Sequence, residues 1–342
     1  MNDHHGQRRT AYRAGNSRST TLFPLSTVHH PRFATLASAL IVTALPIRAR
    51  CQQDDARARV VVSTEWLADH LNDPKLVLLH VGTPESYAKE HIRGARFVTL
   101  NDIAAPMHHD GSKELMLQMP ETDSLRAALA RFGISDDSRI IVYFGNDADA
   151  WVSPSTRLIL TLDYAGLGDH TSLLDGGLAA WIHAGKPVTA EATPDRAGKL
   201  TPLHIKAADV ASGDWVRDNK DKPGYSLVDA RAAVFYDGVN DGGPPTAHRK
   251  GHIPGAKSVP FTTVMNDDNT LKPAAELAAL FKNAGVKPGD TVIGYCHIGQ
   301  QATAMLFAAR SLGFKAVLYD GSFEDWAYHD WPVEVPPRKG GF

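Results

Sequence analysis

Residues 291–307 read TVIGYCHIGQQATAMLF. An apolar run ends at Tyr295, Cys296 follows at once, and a polar turn of His297, Ile298, Gly299, Gln300 and Gln301 leads into an Ala, Met, Leu and Phe segment suited to a helix. A strand that hands a cysteine to the mouth of a helix sets the thiol beside unpaired backbone N–H groups and the positive end of a helix dipole. Both favour an anion, so the thiol is expected to ionise readily and the turn to cradle an anionic substrate or intermediate. Cys296 is the candidate nucleophile. The competing reading is a small buried hydrophobe at a strand end.

The stretch before it is repeated elsewhere in the chain. LAALFKNAGVKPGDTVIGYC at 277–296 echoes LRAALARFGISDDSRIIVYF at 125–144. LYDGSFEDWAYHDWPV at 318–333 echoes LLDGGLAAWIHAGKPV at 173–188, and DARAAVFY with GHIPGAKSVPFTTVM echoes GTPESYAKEHIRGARFVTLNDI at 82–103. The order is kept while the spacings change, which is the signature of a tandem duplication. The second copy carries an insertion, YDGVNDGGPPTAHRK, before its GHIPGA piece. Aligning Tyr143 with Tyr295 puts Phe144 where Cys296 stands and Gly82 where Arg231 stands. The first copy therefore lacks the nucleophile and its basic partner, and is expected to serve as an inactive scaffold that packs against the second.

Strand and helix signals alternate from Val60 onward. Apolar runs at 76–81, 139–144, 172–174, 225–230, 291–295 and 316–319 suit buried parallel strands. Helices are expected at 64–71, from Pro154 (a proline at the first helical position), and at 207–218, 273–284 and 302–312. Strands spaced by helices imply parallel sheets covered on both faces. The expected boundaries are an N-terminal extension over 1–58, a first domain over 59–186, a Pro- and Gly-containing linker over 187–206 and a second domain over 207–336.

The chain has 342 residues, 43% of them hydrophobic and 22% charged, enough for two ordinary cores. Its 36 basic and 38 acidic residues leave a net charge of −2, which offers no basic surface for nucleic acid or an anionic membrane. Two cysteines, Cys51 and Cys296, exclude a disulfide framework and a Cys-rich metal site. Residues 33–46, FATLASALIVTALP, are uncharged and too short for a membrane span, but suit the apolar part of an export signal. The N-terminal extension is therefore expected to direct the protein to the periplasm or beyond. The alternatives are a disordered extension or a misplaced start, with a cytoplasmic protein.

VDAR at 228–231, GHIPGA at 251–256, CHIGQQAT at 296–303 and YDGSFEDW at 319–326 together resemble the two-domain rhodanese-type sulfurtransferases over about residues 60–335. The resemblance implies an α/β fold of two tandem rhodanese-like domains, each a central parallel sheet flanked by helices on both faces. It implies catalysis in the second domain, with a small-molecule sulfur donor and acceptor and a persulfide on Cys296. No metal or organic cofactor is expected. Backbone N–H groups of residues 297–301 are expected to hold the persulfide anion. Arg231 is expected to pair with donor oxygens, or else with Asp229 as an internal ion pair. His297 adds positive character near the sulfur or merely solvates the turn. Gly299 permits curvature, and Thr303 hydrogen-bonds the sulfur or caps the helix. His91, Trp181, His252 and Trp326 occur in both copies and are read as structural.

The loop departs from the family's known patterns, which place basic residues (CRKGVT) or small ones (CGSGVT) after the cysteine. A partly basic His297 and the loop length favour thiosulfate, with 3-mercaptopyruvate as the alternative donor. Phosphatase chemistry on a related fold needs an arginine six residues after the cysteine, where this chain has Ala302. A non-catalytic binding module is the reading from another class.

Overall fold

The computed structural model describes residues 55–107, 114–146, 152–241 and 248–336. These fall within one structural unit, Leu45–Phe342. Of the N-terminal extension, residues 1–54 lie outside the described residues, and so does nearly all of the export-signal expectation.

The first copy builds strands β1 (Val61–Val62), β2 (Leu76–Val81), β3 (Ala95–Val98), β4 (Arg139–Phe144) and β5 (Thr171–Leu174). Its helices are α1 (Thr64–His70), α2 (Pro84–Lys89), α3 (Thr122–Arg131), α4 (Val152–Tyr164) and α5 (Gly177–His183). The second copy repeats the plan with β6 (Val210–Ala211), β7 (Tyr225–Asp229), β8 (Lys257–Ser258), β9 (Thr291–Tyr295) and β10 (Lys315–Tyr319). Its helices are α6 (Gly213–Asn219), α7 (Ala233–Tyr236), α8 (Ala274–Asn283), α9 (Ala302–Ser311) and α10 (Ser322–Tyr328). Each copy forms a parallel five-stranded sheet, ordered β1-β5-β4-β2-β3 and β6-β10-β9-β7-β8. The expected α/β architecture is present.

The strand registers verify the internal alignment. His80 on β2 stands opposite Tyr143 on β4, as Asp229 on β7 stands opposite Tyr295 on β9. Each tyrosine hydroxyl accepts from a matching backbone N–H, Ile92 or Ile253, at 3.1 Å. His91 and His252 each stack on a tyrosine and bond its carbonyl, and Trp181 and Trp326 each donate to a proline carbonyl six residues on. All four landmark side chains make the same local bonds in both copies.

Two expectations need correction. Residues 207–218 are not one helix: a 3-10 turn (Ala207–Asp209) and β6 come first, and Ser212 then caps α6 by accepting from Trp215 N–H at 3.3 Å. Pairing of Val210 and Ala211 with β10 outweighs their helical spacing. Helix α4 begins at Val152, two residues before Pro154. The proline still sits in the first turn, where a missing N–H costs nothing.

Side chains alternate along each strand and so divide between two cores. On β9, Ile293 and Tyr295 join an outer core with Phe323 and Trp326, while Val292 and the following Cys296 join a large core shared by the two copies. Helices α4 and α9 meet within that shared core and are buried on nearly all sides. Thr156 and Thr303, aligned by the positive-φ glycines 166 and 313 that close the two helices, bond to each other at 2.9 Å. One turn-pair later, Asp163 and Arg310, also aligned, form an ion pair. Equivalent residues meeting at two levels show that α4 and α9 run parallel about a local two-fold, with both N-termini at the Cys296 end.

Matching latches join the copies. Asp320, after β10, accepts from Met119 N–H, and Asp175, after β5, accepts from Leu271 N–H, both at 2.8 Å. Glu324 adds a bond from Met116 N–H at 2.9 Å. Each bond ends on a carboxylate from the other copy.

Candidate active site

Cys296 leaves the C-terminal end of β9, where ligands of open parallel sheets commonly sit. Its residue is fully buried, with 0% exposure. The accessible setting expected for a reactive thiol is therefore not what the resting fold presents. Cys296 is instead packed into the core that the two copies share.

The loop's backbone is organised from outside. The Cys296 carbonyl accepts from Phe323 N–H at 3.1 Å and the His297 carbonyl from Glu324 N–H at 3.0 Å, so the first turn of α10 draws both outward. The Gly299 carbonyl accepts from Arg157 Nη1 at 3.1 Å, and the Gln300 carbonyl from Thr303 N–H and Oγ1. In a trans peptide the N–H points opposite to its carbonyl. The N–H groups of residues 297, 298, 300 and 301 are thus turned away from these partners. None of the five N–H groups of residues 297–301 meets a protein acceptor among the described residues. An unsatisfied run of this kind is a ready seat for an anion.

Gly299 carries the turn at φ +79°, and a Cβ there would lie 2.7 Å from the Asp320 carbonyl. No other residue fits. Ile298 and Gln301 are half-buried in the loop, and Gln300 Nε2 donates to Ser153 Oγ at 3.3 Å across the copy boundary.

Arg231 is almost wholly buried and forks onto Asp229, with Nη2 to Oδ2 at 2.7 Å and Nε to both oxygens at 3.1 Å. Nη2 also donates to the Gly251 carbonyl at 2.7 Å. The internal ion pair is the arrangement present, and only Nη1 is left without an acceptor among the described residues. Burial works against the guanidinium charge, but Asp229 overcomes it, aided by Tyr295 and Cys296, and Arg231 stays protonated above its ordinary range. Its guanidinium also lies 4.0 Å over the Phe323 ring.

His297 does not supply the expected positive charge. Burial, and then the nearby Arg231, lower its pKa to about 4. The ring meets Phe235 edge-on at 4.7 Å, and its Nδ1 is buried without a partner. Thr303 neither caps α9 by accepting an N–H nor bonds the sulfur. Its hydroxyl ties the Gln300 carbonyl, at 2.7 Å, to Thr156 and the Ser153 carbonyl on the first copy.

Two residues of the site escape a sequence reading. Ser322 occupies a left-handed backbone position (φ 54°), unusual for a residue with a side chain, and its Oγ accepts from Cys296 N–H at 3.2 Å while donating to the Tyr319 carbonyl. The matching residue in the first copy is Gly177, φ 59°, where a Cβ would strike the Phe144 ring. Phe144 with Gly177 thus occupies the place that Cys296 with Ser322 holds in the second copy. Arg157 is the other, reaching the loop from the copy that has no cysteine beside its sheet.

Comparison with known proteins agrees with this frame. The family model described as a rhodanese-like domain matches twice, over residues 63–184 and 212–329. The chain is 31% identical over 296 residues to the sulfur carrier protein TtuD of Thermus thermophilus, covering 83% of this chain and 98% of that one. It is 28% identical over 300 residues to bovine thiosulfate sulfurtransferase, covering 83% and 97%, and 27% identical over 305 residues to a mitochondrial thiosulfate/3-mercaptopyruvate sulfurtransferase of Arabidopsis thaliana, covering 80% and 78%. Among solved structures, YnjE aligns with a TM-score of 0.70 at 25% identity, covering 82% of this chain and 69% of that one. An anaerobic ergothioneine biosynthesis enzyme from Chlorobium limicola aligns with a TM-score of 0.70 at 20% identity, covering 81% and 70%, a likeness of fold alone. The chain belongs to the rhodanese-like family and carries its domain twice.

Proposed function

We propose that this sulfurtransferase moves sulfane sulfur from thiosulfate to a thiophilic acceptor through a persulfide on Cys296. The observation that carries the reading is the run of five backbone N–H groups, residues 297–301, that meet no protein acceptor among the described residues and follow the one cysteine of the second copy. In the first step the Cys296 thiolate attacks the outer sulfur of thiosulfate. A new S–S bond forms, the donor's S–S bond breaks, and its electron pair leaves on sulfite. In the second step cyanide or a thiolate attacks the outer sulfur of Cys296–S–S⁻ and restores the thiolate. This is covalent catalysis in two displacements. The persulfide carries its negative charge into the amide run, which stabilises it without an added base.

Arg231 offers one N–H pair to donor oxygens, from Nη1, while Asp229 balances its charge. The loop residues Ile298, Gly299, Gln300 and Gln301 contribute their backbone, and Thr303 holds the loop's end. Full burial of Cys296 restricts the donor to small molecules that displace what covers the sulfur.

The neutral His297 favours a second reading, 3-mercaptopyruvate as donor. A ring held near pKa 4 withholds the positive charge that a dianionic donor would draw on, whereas a monocarboxylate needs less. Steady-state turnover of the purified protein with each donor, and cyanide as acceptor, decides between them. The thiosulfate reading expects the higher kcat/KM with thiosulfate and loss of at least about 10³-fold in Cys296→Ser, as befits removal of a nucleophile. A tenfold preference for mercaptopyruvate would replace the donor. Undiminished activity in Cys296→Ser would discard the mechanism.

A further inference from the structure

We infer that Arg157, on helix α4 of the cysteine-free copy, is a positioning residue that holds the sulfur-carrying loop in its anion-binding form. The inference rests on the reading of Cys296 as the nucleophile, and it assigns to the first copy a part in that site.

The loop binds an anion only while its carbonyls face outward. Of the four carbonyls held there, those of Cys296, His297 and Gln300 are held from within the second copy. Among the described residues the Gly299 carbonyl is held by Arg157 alone, at 3.1 Å from Nη1. This is the peptide whose other end presents the Gln300 N–H, at the apex of the loop, next to a glycine in the left-handed region that has the widest choice of alternative conformations. Without a donor on its carbonyl, the Gly299–Gln300 peptide has little to stop it rotating, and rotation would put an oxygen where the anion sits.

Arg157 is built to stay where it is. Its side chain is 2% exposed, Nη1 lies 2.8 Å from Asp320 Oδ1, and Nη2 donates to the Leu117 carbonyl. The Asp320 contact is close but not aligned as a hydrogen bond, so it supplies charge, while the directed N–H bonds go to the two carbonyls. Leu117 itself has φ 55°, so both carbonyls that meet this fork come from residues in the left-handed region. A guanidinium offers several N–H donors in one plane, which suits it to two carbonyls and a carboxylate at once.

The local two-fold sharpens the case. Counting back nine residues from Gly166 and Gly313 gives Arg157 and Ala304, so the second copy has no equivalent arginine. On the opposite side of the interface Asp175 instead receives Arg57, whose guanidinium bonds the Leu271 and Lys272 carbonyls and makes no hydrogen bond or ion pair with the 296–303 loop among the described residues. Each aspartate thus meets an arginine. Only the one at Asp320 also grips the loop.

The test compares Arg157→Gln and Arg157→Lys with Arg57→Gln, which weakens the interface without touching the loop. Alkylation of Cys296 by iodoacetamide is followed against pH and read from the Cys296 peptide by mass spectrometry, so that Cys51 does not interfere. No sulfur donor is present, so the profile reports on the loop even if the protein moves no sulfur; sulfur loading of the wild type tests that separately. The plateau rate reads access, and the midpoint reads how well the loop stabilises the anion. The midpoint is expected to rise by on the order of one pH unit in Arg157→Gln, to recover partly in Arg157→Lys, which keeps the charge but not the fork, and to stay in place in Arg57→Gln. The inference is overturned by an unmoved midpoint in Arg157→Gln, by an equal shift in Arg57→Gln, or by full recovery in Arg157→Lys, which would leave charge and not position as the cause.

Discussion

His297 sits beside Cys296 with a ring that resists protonation, and this has a consequence for stability. Its ordinary pKa is 6.5, and the fold lowers it to about 4, through burial first and Arg231 second. Between those values the unfolded chain takes up a proton that the folded chain refuses. The stability associated with neutral His297 is therefore present above pH 6.5 and lost as pH falls toward 4. His297→Gln removes the titration, so its melting temperature should drop less than that of the wild type between pH 7 and pH 4.5. Equal drops would mean that the ring is not held neutral. Asp209 works in the opposite sense: burial and the neighbouring Asp163 raise its pKa to about 6, so its contribution is lost as pH rises. The comparison of variant with wild type separates the two. Ser322 gives a second prediction at this scale. Ser322→Ala leaves the Cys296 N–H unpaired in a buried place and keeps the backbone in the left-handed region, so denaturant unfolding should show a loss of about 1–3 kcal/mol. Ser322→Gly relieves the backbone and should cost less. The sequence made Cys296 visible through its setting between a strand and a helix, but not Ser322 or Arg157, because their importance lies in contacts 26 residues and 142 residues away along the chain.

The elements differ in how well they could be read. Strands β2, β4 and β9 match their expected spans closely because strands buried on both faces read as unbroken apolar runs. The edge strands β3 and β8 were not anticipated, being short and mixed in character, ARFV and KS. Residues 207–218 have a helical spacing throughout, but the capping Ser212 within it marks where the helix starts, after a 3-10 turn and β6. The pairing of α4 with α9 follows only from the duplication, once both helices are seen to end at positive-φ glycines. Thr303 tests that pairing. Thr303→Val keeps the shape but removes one of the two donors to the Gln300 carbonyl and one of the two partners of the Thr156 hydroxyl, each loss worth about 0.5–1.5 kcal/mol. Chemical denaturation should show that destabilisation, together with a fall in sulfur transfer as the end of the loop loosens. A variant as stable and active as the wild type would show that the contact holds neither the helices nor the loop.

For the whole molecule, duplication accounts for both the symmetry of the fold and the asymmetry of the site. Two sheets of one topology share a core, and paired aspartates, Asp175 and Asp320, latch each copy onto the other. Within that frame one copy has Phe144 at the strand end, while the other has a buried cysteine there, followed by a loop whose amides meet no protein acceptor among the described residues. The fold could be read from motifs in order, and the same motifs single out Cys296 as the candidate nucleophile. The cross-copy grip on the loop could not, since nothing local in α4 distinguishes a latch from a core helix. The most direct test of the account is intact-mass and peptide mass spectrometry of the protein after exposure to thiosulfate. A gain of one sulfur atom on the Cys296 peptide, reversed by cyanide and absent in Cys296→Ser, is the predicted result. No added sulfur with either thiosulfate or 3-mercaptopyruvate, or sulfur found equally in Cys296→Ser, would contradict it.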